Sequence, residues 1–182
     1  MIRRPLFAAI LAAALAALLL PAVSTASDHL IVVKHRKIRS FGGFAAQGAM
    51  PNTTNAEAVF GPGVILANTD TTCFVSYDPE GVTITFADFG NPGTPACDPS
   101  AGRAQIIVAS KHGWRTNRGL AVGDTLKRLK KLYREKKLRH GIWELVGRRS
   151  SIGPSGHQAV LEGFVAHGHV TGFAAFPRSA GD

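Results

Sequence analysis

The clearest amphipathic pattern in the chain lies between Asp124 and Tyr133. Leu126, Leu129, Leu132 and Tyr133 recur there at helical spacing, while Lys127, Arg128, Lys130, Lys131 and Arg134 fall on the other side. This predicts a helix with one apolar stripe facing a core. Asp124, just after Val122-Gly123, is the expected N-cap, because its carboxylate can accept from an unpaired backbone N–H at the positive end of the helix. A period of two appears elsewhere. Val82, Ile84 and Phe86 alternate with Thr83, Thr85 and Ala87, the pattern of a half-buried strand. Asp78-Pro79-Glu80-Gly81 precedes it with the residues of a type I turn, so Cys73 to Phe89 reads as a hairpin. Ala104–Ser110, Ile142–Val146, Gln158–Val165 and His169–Phe176 read as further strands, and Gly147–Gly156 as a polar loop. Leu30–Val33 and Ile38–Phe41 are strand-like but interrupted by Lys34, His35, Arg36 and Lys37, which predicts one strand in this region. Asn55 is the expected cap of a short helix running to Phe60 and stopped by Gly61-Pro62-Gly63.

Each half therefore reads strand, helix, strand, strand. Gly81–Phe89 aligns without a gap on Gly168–Phe176, sharing the glycine, both phenylalanines and one alanine. The expected fold is α+β: an antiparallel sheet built from two βαββ-like repeats, about 30–100 and 101–178, with a helix packed on each.

The N-terminus changes the count of residues. Arg3 and Arg4 precede an apolar run from Leu6 to Leu20, followed by Pro21 and small residues through Ala26. That is the layout of a cleaved secretory signal over residues 1–26, and the run is short of the roughly 20 residues a spanning helix needs. Removing 26 of 182 residues leaves 156, a single domain at 27–182. The signal takes two of the 21 basic residues and none of the 12 acidic ones, so the mature net charge is +7. This favours acidic partners at long range. In an exported chain the only two cysteines, Cys73 and Cys97, are expected to pair. The crosslink closes a loop of about 25 residues, worth roughly 3.5 kcal/mol in the chain-entropy model.

Arg118-Gly119-Leu120-Ala121-Val122-Gly123-Asp124-Thr125, followed by Leu129 and Leu132-Tyr133 and then a sheet, resembles the helix opening of tandem helix-plus-sheet proteins. Among these are the beta-lactamase inhibitor protein family and SmpA/OmlA-type envelope lipoproteins. With Trp114-Arg115-Thr116 and the cysteine pair, the arrangement is similar to that of small secreted bacterial proteins. The resemblance implies an exported, non-catalytic scaffold that contacts other proteins. The chain departs from the lipoproteins in having no cysteine near the cleavage point, and no inhibitor contact residue carries over.

Candidate chemistry is sparse. His167 and His169, with His157, offer imidazoles without a carboxylate or cysteine at diagnostic spacing, so no metal site is assigned. Gly153-Pro154-Ser155-Gly156-His157 lacks the final glycine and the leading strand of a nucleophile elbow. Asp78, Glu80 and Asp88 cluster in sequence around the hairpin, where turn geometry accounts for Asp78. Asn52-Thr53-Thr54 fits a glycosylation sequon. Trp114 and Trp143 read as core. The leading surface is the basic series Lys127, Arg128, Lys130, Lys131, Arg134, Lys136, Lys137 and Arg139, suited to an anionic wall polymer or an acidic envelope protein. Nucleic acid ranks lower, since no aromatic platform interleaves the cations. The expected protein is a secreted or cell-envelope binding or structural domain, acting without a cofactor and with no membrane span after signal removal. A small secreted hydrolase with a histidine site is the alternative.

Overall fold

The computed structural model describes residues 29–45, 51–88, 90, 93–134, 136–149 and 157–177. Residues 1–26, expected to form a secretory signal, and the 153–156 segment lie outside these residues, as does the side chain of His157. Among the described residues no helix is long and apolar enough to cross a membrane.

Helix α1 (Thr53–Phe60) leads into four strands, β4 (Val64–Asn68), β5 (Thr72–Tyr77), β6 (Val82–Asp88) and β7 (Gly102–Ala109). Helix α2 (Leu126–Leu132) leads into β9 (Lys136–Arg139), β10 (Ile142–Arg149), β11 (His157–Ala166) and β12 (His169–Ala175). The two runs join edge to edge where β7 pairs with β12. The result is one eight-stranded antiparallel sheet in the order β4-β5-β6-β7-β12-β11-β10-β9. A second sheet holds β1 (Leu30–Lys34), β2 (Lys37–Phe41), β3 (Phe44–Ala45) and β8 (Arg115–Thr116), with β1 and β8 parallel.

The observed order differs from the expected strand, helix, strand, strand: β1–β3 precede α1, β8 precedes α2, each helix is followed by four strands, and β7, expected to open the second half, closes the first run. Four strands are absent from the sequence reading: the two-residue β3 and β8, β4, whose Val-Ile-Leu-Ala-Asn does not alternate, and β9, which reads as a charge run. The nine-residue match sets β6, third in its run, against β12, fourth in its own. The expected Cys73–Tyr77 to Phe89 hairpin is present as β5 and β6, joined by a 3-10 turn at Asp78–Glu80 with Gly81 at φ 63°.

A row of register partners fixes which face is covered. Tyr77, Val82, Ala109, Phe173, Gly163, Trp143 and Lys137 stand opposite one another across successive strands. Residues so paired share one side of a sheet. At one end of the row the Phe60 ring of α1 lies 5.6 Å from Tyr77 and 6.5 Å from the buried Trp114, which stacks on Phe41 of β2 at 4.6 Å. At the other end, Leu129 of α2 comes down over Gly163, where a Cβ would lie 3.6 Å from its Cδ1. Both helices and the small sheet therefore cover the same face. Thr83 and Thr85 on the other face stay half-exposed.

Three local expectations are corrected. The N-cap of α2 is Thr125, whose hydroxyl accepts from Arg128 N at 3.3 Å. Asp124 instead ties the preceding turn, accepting from Ala121 N at 2.8 Å. Asn52, not Asn55, caps α1; Asn55 is the reciprocal member of a capping box, which starts the helix earlier. Leu30–Phe41 is a two-stranded hairpin and not one strand. The Cys73–Cys97 disulfide is formed, at 2.07 Å. It pins the 93–97 segment, which is also held by Ala96 N to Thr69 O at 3.1 Å and Cys97 N to Asn68 Oδ1 at 3.3 Å.

Candidate basic cleft

The β1–β2 hairpin turns through only two residues, His35 and Arg36, with φ of 51° and 56°. A turn with both central residues at positive φ favours Asn-Gly. An ordinary L-residue there costs roughly 1–2 kcal/mol. Strain of this kind clusters at ligand clamps and other functional sites. Arg36 lines a cleft of about 660 Å³ beside the C-terminal end of α2.

Helix α2 ends because Tyr133 is extended, its N–H still bonding Leu129 O at 3.0 Å. Leu129 is fully buried, so Lys130, Lys131 and Arg134 are turned outward near the negative end of the helix. Arg118 reaches in from the loop after β8. Its Nη1 donates to Leu132 O at 3.3 Å, and its guanidinium carbon lies 5.0 Å from the centre of the Tyr133 ring. Five cations from three chain segments, Arg36, Arg118, Lys130, Lys131 and Arg134, thus line one cleft, together with Tyr133 and the stretch Glu144–Gly147. Arg36, Lys131 and Arg134 have no acidic partner among the described residues. Burial raises the Tyr133 phenol above its ordinary pKa, an effect eased by the Thr116 hydroxyl and the Arg118 charge. Glu162, opposite Glu144 on the neighbouring strand, is also raised. Burial is the main cause; Arg139 opposes it and Glu144 adds to it.

The eight basic residues expected as one helical face are divided by the fold. Lys130, Lys131 and Arg134 line the cleft. Lys127 is exposed on α2 away from it, and Arg128 is engaged with Asp124 at 3.0 Å and with Gly119 O at 3.0 Å. Lys136, Lys137 and Arg139 stand on β9, since the helix stops at Leu132. Lys130 has a further contact, its ammonium 5.2 Å from the centre of the half-buried Trp143 ring. Arg36 and Arg118 were not singled out by sequence. The Lys34–Lys37 cluster was visible, but its approach to α2 depends on the packing of the small sheet.

The other candidates have local roles. His167 occupies the β11–β12 turn at φ 50°, and His169 Nδ1 lies 3.0 Å from Gly123 O. Among the described residues no three of His, Cys, Asp and Glu converge as metal ligands. Glu80 Oε2 is 2.6 Å from His29 Nε2, Asp78 accepts from the Ser76 hydroxyl, and Asp88 accepts from Gly90 N at 3.2 Å. These carboxylates serve separate contacts. Trp114 is fully buried, its Nε1 donating to Glu80 O at 2.8 Å. No family model matches the chain, and neither a curated protein nor a solved structure matches it.

Proposed function

We propose that the protein is an exported binding domain of the cell envelope whose basic cleft takes an anionic group of a wall polymer or of an acidic partner protein. The observation that carries this reading is the convergence of five cations from separate chain segments on one open cleft. Like charges brought together repel, and a bound anion relieves that repulsion while gaining charge-assisted hydrogen bonds from the guanidinium groups. Arg36, held in a strained turn, contributes to the same cleft. Export fits the signal-like residues 1–26 and a disulfide that oxidising compartments preserve. In the same reading the helix-then-four-strands order of each half reflects an internal duplication, in line with the likeness to tandem helix-plus-sheet proteins.

The test is binding of the disulfide-intact protein to envelope fractions and to polyphosphate as salt is varied. Reversing Lys130, Lys131 and Arg134 to glutamate is expected to weaken binding at least about tenfold, equivalent to 1.4 kcal/mol, and to flatten the salt dependence. Reversing Lys136, Lys137 and Arg139 serves as the control. Equal losses from both triples would mean that overall charge, not the cleft, does the binding.

A further inference from the structure

Among the described residues the large apolar side chains left exposed are Val64, Ile65, Leu66, Phe74 and Leu138. Their placement is not scattered. The first three are on β4, Phe74 is on the adjoining β5, and Leu138 is on β9. β4 and β9 are the two outermost strands of the eight-stranded sheet. Every residue of β4 is exposed, Leu66 at 62%, and the strand carries neither charge nor proline. Open edges usually carry such residues to discourage pairing. β9 is different: three of its four residues, Lys136, Lys137 and Arg139, are cations.

Charge divides along the same axis. Residues 51–109, which supply α1 and β4–β7, contain six acids (Glu57, Asp70, Asp78, Glu80, Asp88 and Asp98) against the single base Arg103. Residues 110–177, which supply α2 and β9–β12, contain thirteen bases against four acids. One edge of the sheet therefore ends the acidic half and the other ends the basic half.

Strand direction adds a geometric condition. Strands alternate throughout the eight, so β4 and β9 run opposite ways. A second copy placed one sheet-width along, with its strands running in the same sense, sets its β9 antiparallel to β4 and continues the alternation. We propose that the chain self-associates head to tail in this way, β4 of one copy against β9 of the next. The contact puts Leu138 against the Val64–Leu66 apolar edge and an acidic half against a basic one. Pairing β9 with β9 opposes three cations to three, and pairing β4 with β4 brings two acidic halves together.

The register also limits the strength of the contact. The pairing skips Leu66 on β4 and Leu138 on β9, so each edge carries a bulge at its leucine. Bulges interrupt the ladder, and the docking rests on the leucine side chains more than on a long run of backbone bonds. Such short strands bury less than the roughly 1,200 Å² of a stable complex, so association is weak and concentration-dependent. The contact is heterologous, and sheet twist turns each copy relative to the last, giving an open chain of copies in place of a closed dimer.

Sedimentation of the disulfide-intact protein from about 10 µM to 1 mM, a range that covers weak association, is expected to show growing oligomers that shrink as salt rises. Ile65→Lys, which places a cation on this 57% exposed edge position, is expected to return the protein to monomer with an unchanged circular dichroism spectrum. The geometry is read by mixing a Leu66→Cys protein with a Leu138→Cys protein and adding a short thiol crosslinker. The expected product contains one of each, and neither protein alone gives a crosslinked dimer. A monomer throughout the concentration range overturns the proposal. So does a crosslinked dimer of Leu66→Cys with itself, which indicates two-fold pairing of β4, and so does association that strengthens with salt.

Discussion

Gly102 opens β7 directly beneath the disulfide loop, and a methyl group there tests how firmly that loop is held. A Cβ built on Gly102 would lie 1.8 Å from Ala96 O and 2.9 Å from Ala96 C. That is roughly 1.5 Å short of ordinary contact. The backbone at Gly102 is not in the left-handed region, so the expected penalty comes from the close approach and not from the φ angle. For Gly102→Ala to be accommodated, Ala96 must retreat. Its N–H is bonded to Thr69 O, the next residue is crosslinked to Cys73, and Thr53 Oγ1 donates to Cys97 O at 3.2 Å. With the crosslink intact, overpacking should cost about 3 kcal/mol, the upper end of the usual range. In a Cys73→Ala/Cys97→Ala background the loop can move, and the same substitution should cost about 1 kcal/mol, a coupling of roughly 2 kcal/mol. The background itself should lose roughly 3.5 kcal/mol from loop closure, leaving a protein of ordinary stability still folded. Urea unfolding of the four proteins, followed by tryptophan fluorescence, completes the cycle. An equal cost of Gly102→Ala with and without the bridge would refute the argument that the disulfide holds Ala96 in place.

Replacing the strained His35-Arg36 pair with Asn-Gly should raise stability by about 1 kcal/mol while weakening polyanion binding, since the turn relaxes and a cleft cation is lost. Thermal unfolding and the polyphosphate titration read the two effects separately; a less stable variant would contradict the assignment of strain. Burial first, and the Glu57 charge second, push the Tyr77 phenol from 10.0 up to about 12. The folded chain thus retains a proton that the unfolded chain releases. The stability linked to Tyr77 is complete below about pH 10 and falls away as pH rises toward about 12. Tyr77→Phe should flatten this part of the alkaline unfolding profile, and identical profiles for the two proteins would show that Tyr77 is not the titrating group.

The legible parts of the fold were those encoded by neighbours along the chain. Alternating Val82, Ile84 and Phe86 are enough to specify β6, because a strand with one covered face imposes a period of two. Leu126, Leu129 and Leu132 specify α2 for the corresponding reason at a helical period. The cysteine count led to the Cys73–Cys97 bridge. Boundaries followed less well: Thr125 and Asn52 cap the helices because their side chains reach a specific N–H, a matter of local geometry that composition leaves open among neighbouring polar residues.

Strands such as β4 and β9 have no buried alternation to reveal them, since their described side chains stay exposed and backbone pairing with one inner neighbour is enough to hold them. The His35-Arg36 turn was hidden for a related reason, its conformation being imposed by the pairing of Lys34 with Lys37 and not by its own preferences. Sequence alone determined the basic excess and the helix that carries part of it. Tertiary structure decided that Lys127 through Arg139 split between a helix and an edge strand, and that Arg36 and Arg118 join Lys130, Lys131 and Arg134 around one cleft. The physical reason is that periodicity records which side of an element is buried, whereas the meeting of two exposed surfaces far apart in the chain depends on how sheets and helices pack.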